Sequence, residues 1–298
     1  MSCKRVIITK GIYMDKELRL LVSFDENDRA IDIINLDTTL VGTEYMATVE
    51  KVLKDIDASI LVLDNGQKGF IENKKLHPDE FVERHSLEKK VCQGDKFKIV
   101  ISQDKKGSKP YSCNFIGNTD SFGRDFLGYY FSEIISDLDS IEIVSDIDSV
   151  CDNYSNIRRY HDAGILLWNL YDLTKVLDKA LSKVVHLKNG GNIVIESTEA
   201  LTVIDVNSGK NYGKSNPMET NLQAVKAIAR QLRLRSISGI IIIDFLKVSK
   251  DEEEQIIGNL KKQTNTDIAK VAVHGFTRLG LLEITRSRIL APLTENLE

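Results

Sequence analysis

From residue 200 to 274 the sequence switches repeatedly between a strand-like and a helical hydrophobic period, which restricts this region to layered α/β architecture. Residues 200–206 alternate as a strand. Residues 221–234 repeat apolar side chains at helical spacing, with Thr220 as the expected N-cap. The run Ile240-Ile241-Ile242-Ile243 within 240–245 is uninterrupted and β-branched, predicting a strand buried on both faces. A helix over 252–263 and a strand over 269–274 complete the pattern.

Upstream, the first 35 residues read as a small antiparallel sheet with strands at 5–9, 17–24 and 30–34. Five further strand-like segments, 44–52, 59–63, 69–72, 96–102 and 111–116, are separated by polar or glycine-containing turns and suggest a compact barrel. An aromatic helix is predicted over 124–137 and an amphipathic one over 173–184. Asn189-Gly190 marks a hairpin before a strand at 192–196.

Net charge is only −4 over 298 residues, which alone gives no reason to expect a polyanionic partner. The distribution reverses that inference. Residues 121–160 hold eight acids against three arginines, net −5, while 201–250 hold eight bases against Asp205, Glu219 and Asp244, net +5. A local basic segment can bind phosphates whatever the total. The four cysteines form no CxxC pair and the five histidines no HxH or HExxH spacing, so neither zinc nor a disulfide framework is expected. No run approaches the roughly 20 apolar residues of a bilayer span, and a cytoplasmic chain without membrane contact is expected.

Asp205 and Asn207 stand two apart on a strand leading into Ser208-Gly209, so their side chains share a face at the strand's end. Asp244 terminates the isoleucine run, and ligands of open α/β sheets bind at such carboxyl ends. Two carboxylates and an amide oxygen suit magnesium. The same residues also suit ordinary turn chemistry, and the pattern leaves both readings open. Lys226, Arg230 and Arg233 form a stripe on the 221–234 helix with no acid among them, fitting either phosphate contact or a solvated face. Phe70, following Gly69, and Lys109 fit a single-strand-binding barrel surface, although Phe70 fits a core position equally.

Assembled in order, Glu-Ala-Leu-Thr-Val-Ile-Asp-Val-Asn-Ser-Gly at 199–209, Thr-Asn-Leu at 220–222, Ala-Arg-Gln-Leu-Arg-Leu-Arg at 229–235, the segment 239–245 and Thr-Arg-Leu-Gly-Leu-Leu-Glu-Ile-Thr-Arg at 277–286 resemble the ribonuclease E and ribonuclease G family. The resemblance implies a mixed α+β and α/β fold of several subdomains. Residues 1–35 with 140–190 would form an RNase H-like subdomain, 36–116 an inserted S1-type OB barrel, 117–139 an acidic and aromatic connector, and 191–298 a DNase I-like catalytic subdomain. It further implies an endoribonuclease of RNA processing or decay, acting on single-stranded RNA to leave 5′-phosphate and 3′-hydroxyl ends. Asp205 and Asp244 would bind magnesium, with manganese as a substitute, and Asn207 would orient Asp205 and the attacking water. Phe70, Lys109, Lys226, Arg230, Arg233, Arg278 and Arg286 are assigned RNA contacts.

Three departures qualify the resemblance. The family's Val-Arg-Thr-Ala-Gly segment, which reads a 5′-monophosphate, has no counterpart in 117–150. Its zinc-linking cysteine pair and small domain have none either, so the oligomeric state is not carried over. Val62 stands where the barrel usually presents a phenylalanine. The alternative function is a catalytically weak or inactive RNA-binding protein on the same fold.

Overall fold

The computed structural model describes residues 3–86, 90–117, 122–135, 138–162, 164–209 and 216–297. Two compact units divide the chain. One comprises Met1–Asp37, Asp139–Arg288 and Pro292–Glu298, the other Thr38–Leu138 with Ile289–Ala291. Among the described residues no helix is long and apolar enough to cross a membrane.

The first unit opens with β1 (Arg5–Tyr13), β2 (Lys16–Phe24) and β3 (Ala30–Asn35), an antiparallel meander. The second unit is a closed five-stranded barrel of β4 (Glu44–Leu53), β5 (Ala58–Leu63), β6 (Lys68–Glu72), β7 (Lys96–Gln103) and β8 (Tyr111–Phe115), in the order β4-β5-β6-β8-β7. Alternate residues, including Val49, Leu61, Ile71, Phe97 and Ile99, fill its interior. The helix expected over 124–137 shrinks to α1 (Phe126–Tyr129) and a wide π-type turn through Ile134, with Ile135 already extended. Asp125 caps this short helix by accepting from the Gly128 N–H, but Gly128 and clustered aromatic and β-branched residues favour helix weakly. Residues 136 and 137 lie outside the described residues.

Back in the first unit, β9 (Glu142–Ser145) joins β1 in parallel and β10 (Arg158–Arg159) extends the edge after α2 (Asp148–Asn153). The expected three-stranded antiparallel sheet is therefore five-stranded and mixed, in the order β10-β9-β1-β2-β3. Helices α3 (Leu167–Leu170) and α4 (Leu173–Leu181) follow, Leu167, Trp168, Leu173 and Leu177 packing with Ile7, Leu20 and Val22. The predicted extension of α4 to 184 fails because Ser182 turns extended and Val184 enters the next strand.

The second sheet of this unit contains β11 (Val184–His186), β12 (Asn192–Ser197), β13 (Leu201–Asn207), β14 (Gly239–Asp244), β15 (Val271–Phe276) and β16 (Leu281–Arg286), ordered β11-β12-β13-β14-β16-β15. Between them run α5 (Pro217–Leu234) and α6 (Lys250–Thr264), and α7 (Leu293–Leu297) ends the chain. Asn216 rather than Thr220 caps α5, accepting from the Met218 N–H, and Pro217 at the first helical position needs no partner for a missing N–H. Strand β16 escaped sequence reading, and β15 lies two residues beyond the predicted 269–274.

Helices α5 and α6 cover one face of this sheet, where Ile193, Ile204, Ile241, Ile243, Leu282 and Ile284 meet Val225, Ile228 and Ile256. Each such side chain contributes about 1.5–3 kcal/mol on burial. The prediction that 240–245 is buried on both faces is incorrect. Ile241 and Ile243 are buried whereas Ile240 is 50% exposed. A single helical layer leaves the opposite face open.

Candidate active site

On that open face Asp205, the fifth residue of β13, is the register partner of Asp244, the last residue of β14, across a parallel strand pair. Neighbouring strands lie about 4.8 Å apart and paired residues project to the same side. Both aspartates are exposed, between buried neighbours Ile204, Val206, Ile243 and Phe245. Asn207 Nδ2 donates to Asp205 Oδ2 at 2.7 Å, occupying one carboxylate oxygen.

Three local features hold this arrangement. Asn221, fully buried on α5, donates from Nδ2 to the Leu246 carbonyl at 2.8 Å and accepts at Oδ1 from the Leu246 N–H at 3.0 Å. That clamp fixes the backbone two residues beyond Asp244. The 189–191 turn is seated by Asn189, whose Nδ2 donates to Thr220 Oγ1 and whose N–H donates to Gln223 Oε1. It lies so close to β13 that a Cβ on Gly191 would stand 2.7 Å from the Asn207 carbonyl oxygen, and one on Gly209, at φ +70°, 2.1 Å from the Gly190 carbonyl oxygen.

Among the described residues no three histidines, cysteines, aspartates or glutamates converge on a metal site. Two exposed carboxylates with an amide beside them nevertheless fit magnesium, which is commonly held by one or two carboxylates with its other positions left to water and substrate phosphate. The donor set contains no imidazole or thiolate at this pair, so it does not suit structural zinc.

The model of the family described as "Ribonuclease E/G family" matches residues 96–289, which include Asp205, Asn207, Asn221 and Asp244. This chain belongs to the ribonuclease E/G family. It is 41% identical over 127 residues to Ribonuclease G of Escherichia coli strain K12, covering 41% of this chain and 26% of that protein. It is 38% identical over 172 residues to Ribonuclease G of Haemophilus influenzae, covering 55% of this chain and 35% of that protein. The chloroplastic Ribonuclease E/G-like protein of Arabidopsis thaliana is 35% identical over 188 residues, covering 60% and 19%. The chain spans about a fifth to about a third of the length of these relatives.

Within this ribonuclease E/G chain the expected RNA contacts separate into exposed and buried groups. Arg278 is exposed in the turn between β15 and β16, three residues before Leu281, the register partner of Asp244. In the barrel, Phe70 is half-buried on the outer surface of β6 while its neighbour Ile71 faces the interior, which decides against the core reading. Lys109 is exposed two residues before β8, whose first residues pair with Gly69 and Phe70. Lys226 is exposed and Arg230 half-buried on α5.

Arg233 and Arg286 do not face solvent, and their assignment as RNA contacts is corrected. Arg233 forks Asp32 of β3 through Nε at 2.6 Å and Nη2 at 2.8 Å, both side chains buried. Arg286 forks Asp267 at 2.9 and 2.7 Å and donates from Nη1 to the Ile237 carbonyl. The acid that neutralises Arg233 comes from a strand some 200 positions away, so inspecting the helix alone could not reveal it. His274 shares a 2.9 Å hydrogen bond with Thr285 Oγ1. Lys210 and Lys214 of the basic segment lie outside the described residues.

Sequence reasoning missed the structural parts played by Asn221, Asn189 and Thr220. The available signal was a polar Asn within an otherwise apolar helix face, at 221.

Proposed function

We propose that this chain is an endoribonuclease that cleaves single-stranded RNA with a magnesium ion held by Asp205 and Asp244, manganese serving as a substitute. The observation that carries the reading is the in-register Asp205–Asp244 pair with Asn207 bonded to Asp205, on an open sheet face of a ribonuclease E/G family chain. A magnesium ion supplies charge neutralisation at the scissile phosphate and a lowered pKa for water.

The chain's own groups do the positioning. Asn207 holds one oxygen of Asp205, which leaves the other for the metal. Asn221 sets the backbone beyond Asp244, and Arg278 on the adjacent turn meets an RNA phosphate. Water attacking phosphorus in line with the P–O3′ bond breaks that bond, giving a 3′-hydroxyl on one fragment and a 5′-phosphate on the other. Phe70 stacks a base and Lys109 meets a phosphate, as exposed aromatics and bases do in single-strand-binding barrels.

In the same reading the first sheet with α3 and α4 is RNase H-like, the barrel is an S1-type OB fold, and the second sheet with α5 and α6 is DNase I-like. RNA processing or decay in the cytoplasm is the corresponding cellular setting.

The test is incubation of purified protein with unstructured RNA in magnesium, beside Asp205→Asn and Asp244→Asn. Cleavage by the parent and its near-complete loss in both variants is the expected outcome. Salt-sensitive RNA binding without cleavage in magnesium or manganese would select the RNA-binding alternative.

A further inference from the structure

On the helix-covered side of the second sheet, away from the Asp205–Asp244 face, a cleft of about 610 Å³ lies within the first unit. That volume falls in the range of roughly 300–1,000 Å³ typical of small-ligand sites. Its walls bring together Arg29 from the β2–β3 turn, His186 and Lys188 from the end of β11, and Lys226 and Arg230 one turn apart on α5. Among the described residues no carboxylate lines it.

The charge in this cleft is poorly compensated. Asp25, just behind Arg29, accepts from Arg29 Nε and Nη2 at 2.9 and 2.6 Å and from the backbone N–H groups of Asn27 and Arg29. Four permanent cations, Arg29, Lys188, Lys226 and Arg230, line the cleft, and Arg29 is paired with Asp25. Among the described residues Lys188, Lys226 and Arg230 form no ion pair. Arg230 is half-buried, with one hydrogen bond from Nη1 to the Ala30 carbonyl at 3.3 Å. Burial and, next, the charge of Arg29 push its pKa down. The contrast with Arg233, less than one turn along the same helix, is physical. Arg233 is forked by a buried acid, whereas Arg230 makes no direct ion pair among the described residues and feels Asp25 only at longer range, and a partly desolvated cation so weakly compensated is costly until an anion arrives.

We propose that this cleft is a second anion site that takes the phosphate of a nucleotide unit, separate from the site of cleavage. Lys188 and Lys226 meet the phosphate at the rim, Arg230 faces it from the floor, and the Gln263 amide at the end of α6 offers a donor and an acceptor to sugar or base. The nucleotide belongs either to an RNA strand that also reaches the catalytic face or to a free mononucleotide. The strand arm rests on the proposed action on RNA.

The experiment uses the full chain in EDTA, so that no cleavage intervenes. A fluorescein-labelled oligouridylate is titrated by anisotropy at several salt concentrations, and UMP is titrated separately by calorimetry. The parent is compared with Lys188→Gln/Lys226→Gln, whose exposed positions preserve folding, and with Lys179→Gln as a surface-charge control. Loss of two single-strand phosphate contacts lowers the magnitude of the salt slope by about 1.4 in the double variant, with the control near the parent. UMP binding abolished by the double variant assigns the cleft to free nucleotides as well; a slope change without UMP binding assigns it to the strand. Unchanged RNA slope together with UMP binding that is absent or unaffected overturns the cleft and leaves cleavage at Asp205 standing. An inactive parent that still shows lysine-dependent UMP binding overturns the nuclease reading and leaves the cleft standing.

Discussion

Asn221 grips Leu246 at two points, its carboxamide donating to the Leu246 carbonyl and accepting from the Leu246 N–H. A buried side chain on α5 thereby fixes the chain just past Asp244. Replacing Asn221 with Ala removes the partner of the Leu246 N–H and carbonyl, both part-buried, at a cost of up to about 1–3 kcal/mol each when unsatisfied. The expected result is a lower denaturation midpoint together with a loss of cleavage exceeding the fraction unfolded. Lost stability with fully retained cleavage would detach Asn221 from the site.

Asn207 donates a hydrogen bond to Asp205, and the proposed function gives it the part of orienting that carboxylate. Loss of such a supporting hydrogen bond beside a metal-binding carboxylate typically costs about 10–100-fold in metal affinity or activity. Asn207→Ala is expected to raise the magnesium concentration for half-maximal cleavage while leaving the thermal midpoint nearly unchanged. A magnesium dependence equal to the parent's would remove Asn207 from this role.

How much of this was legible in the sequence depends on distance along the chain. Asp205 and Asp244 could be found because one lies near the end and the other at the end of a recognisable strand, and the family motifs run in order through both. Their alignment could not be read from either segment, since register comes from the pairing of β13 with β14. The isoleucine run misled because four β-branched residues look alike whether one or both faces are covered. A single helical layer decided the matter. Arg233 misled for a related reason, its partner Asp32 being remote in sequence. The helix start was missed because Asn216 and Pro217 form a stronger cap than Thr220, which instead bonds the 189–191 turn.

The buried Arg233–Asp32 pair gives a stability prediction. Asp32 also accepts from Ser23 Oγ at 2.6 Å, and Asp32→Ala takes this carboxylate away from the buried Arg233 guanidinium. Breaking one side of a buried pair costs about 3–5 kcal/mol. Urea denaturation should show a loss of unfolding free energy of that size, read from the midpoint and slope. A shift comparable with that of an exposed pair such as Lys183–Glu196 would show that the buried pair is dispensable.

Acid sensitivity follows from Glu142, which accepts from Arg5 Nε and from Arg158 Nη2, both at 2.7 Å. The Arg5 hydrogen bond, followed by that of Arg158, lowers its pKa below the usual 4.5. Because the folded value is the lower one, this stabilisation is present above about pH 4.5 and is lost as pH falls through the folded value. Glu142→Gln should therefore lose less stability than the parent across that acid window. Parallel stability curves for the two proteins would contradict the assignment.

The most direct measurement of the central claim is mapping the ends produced when the parent and Asp205→Asn are incubated with unstructured RNA and magnesium. Metal-assisted attack by water predicts 5′-phosphate and 3′-hydroxyl ends from the parent and almost none from the variant. Fragments ending in 2′,3′-cyclic phosphate, or undiminished cleavage by Asp205→Asn, would contradict it.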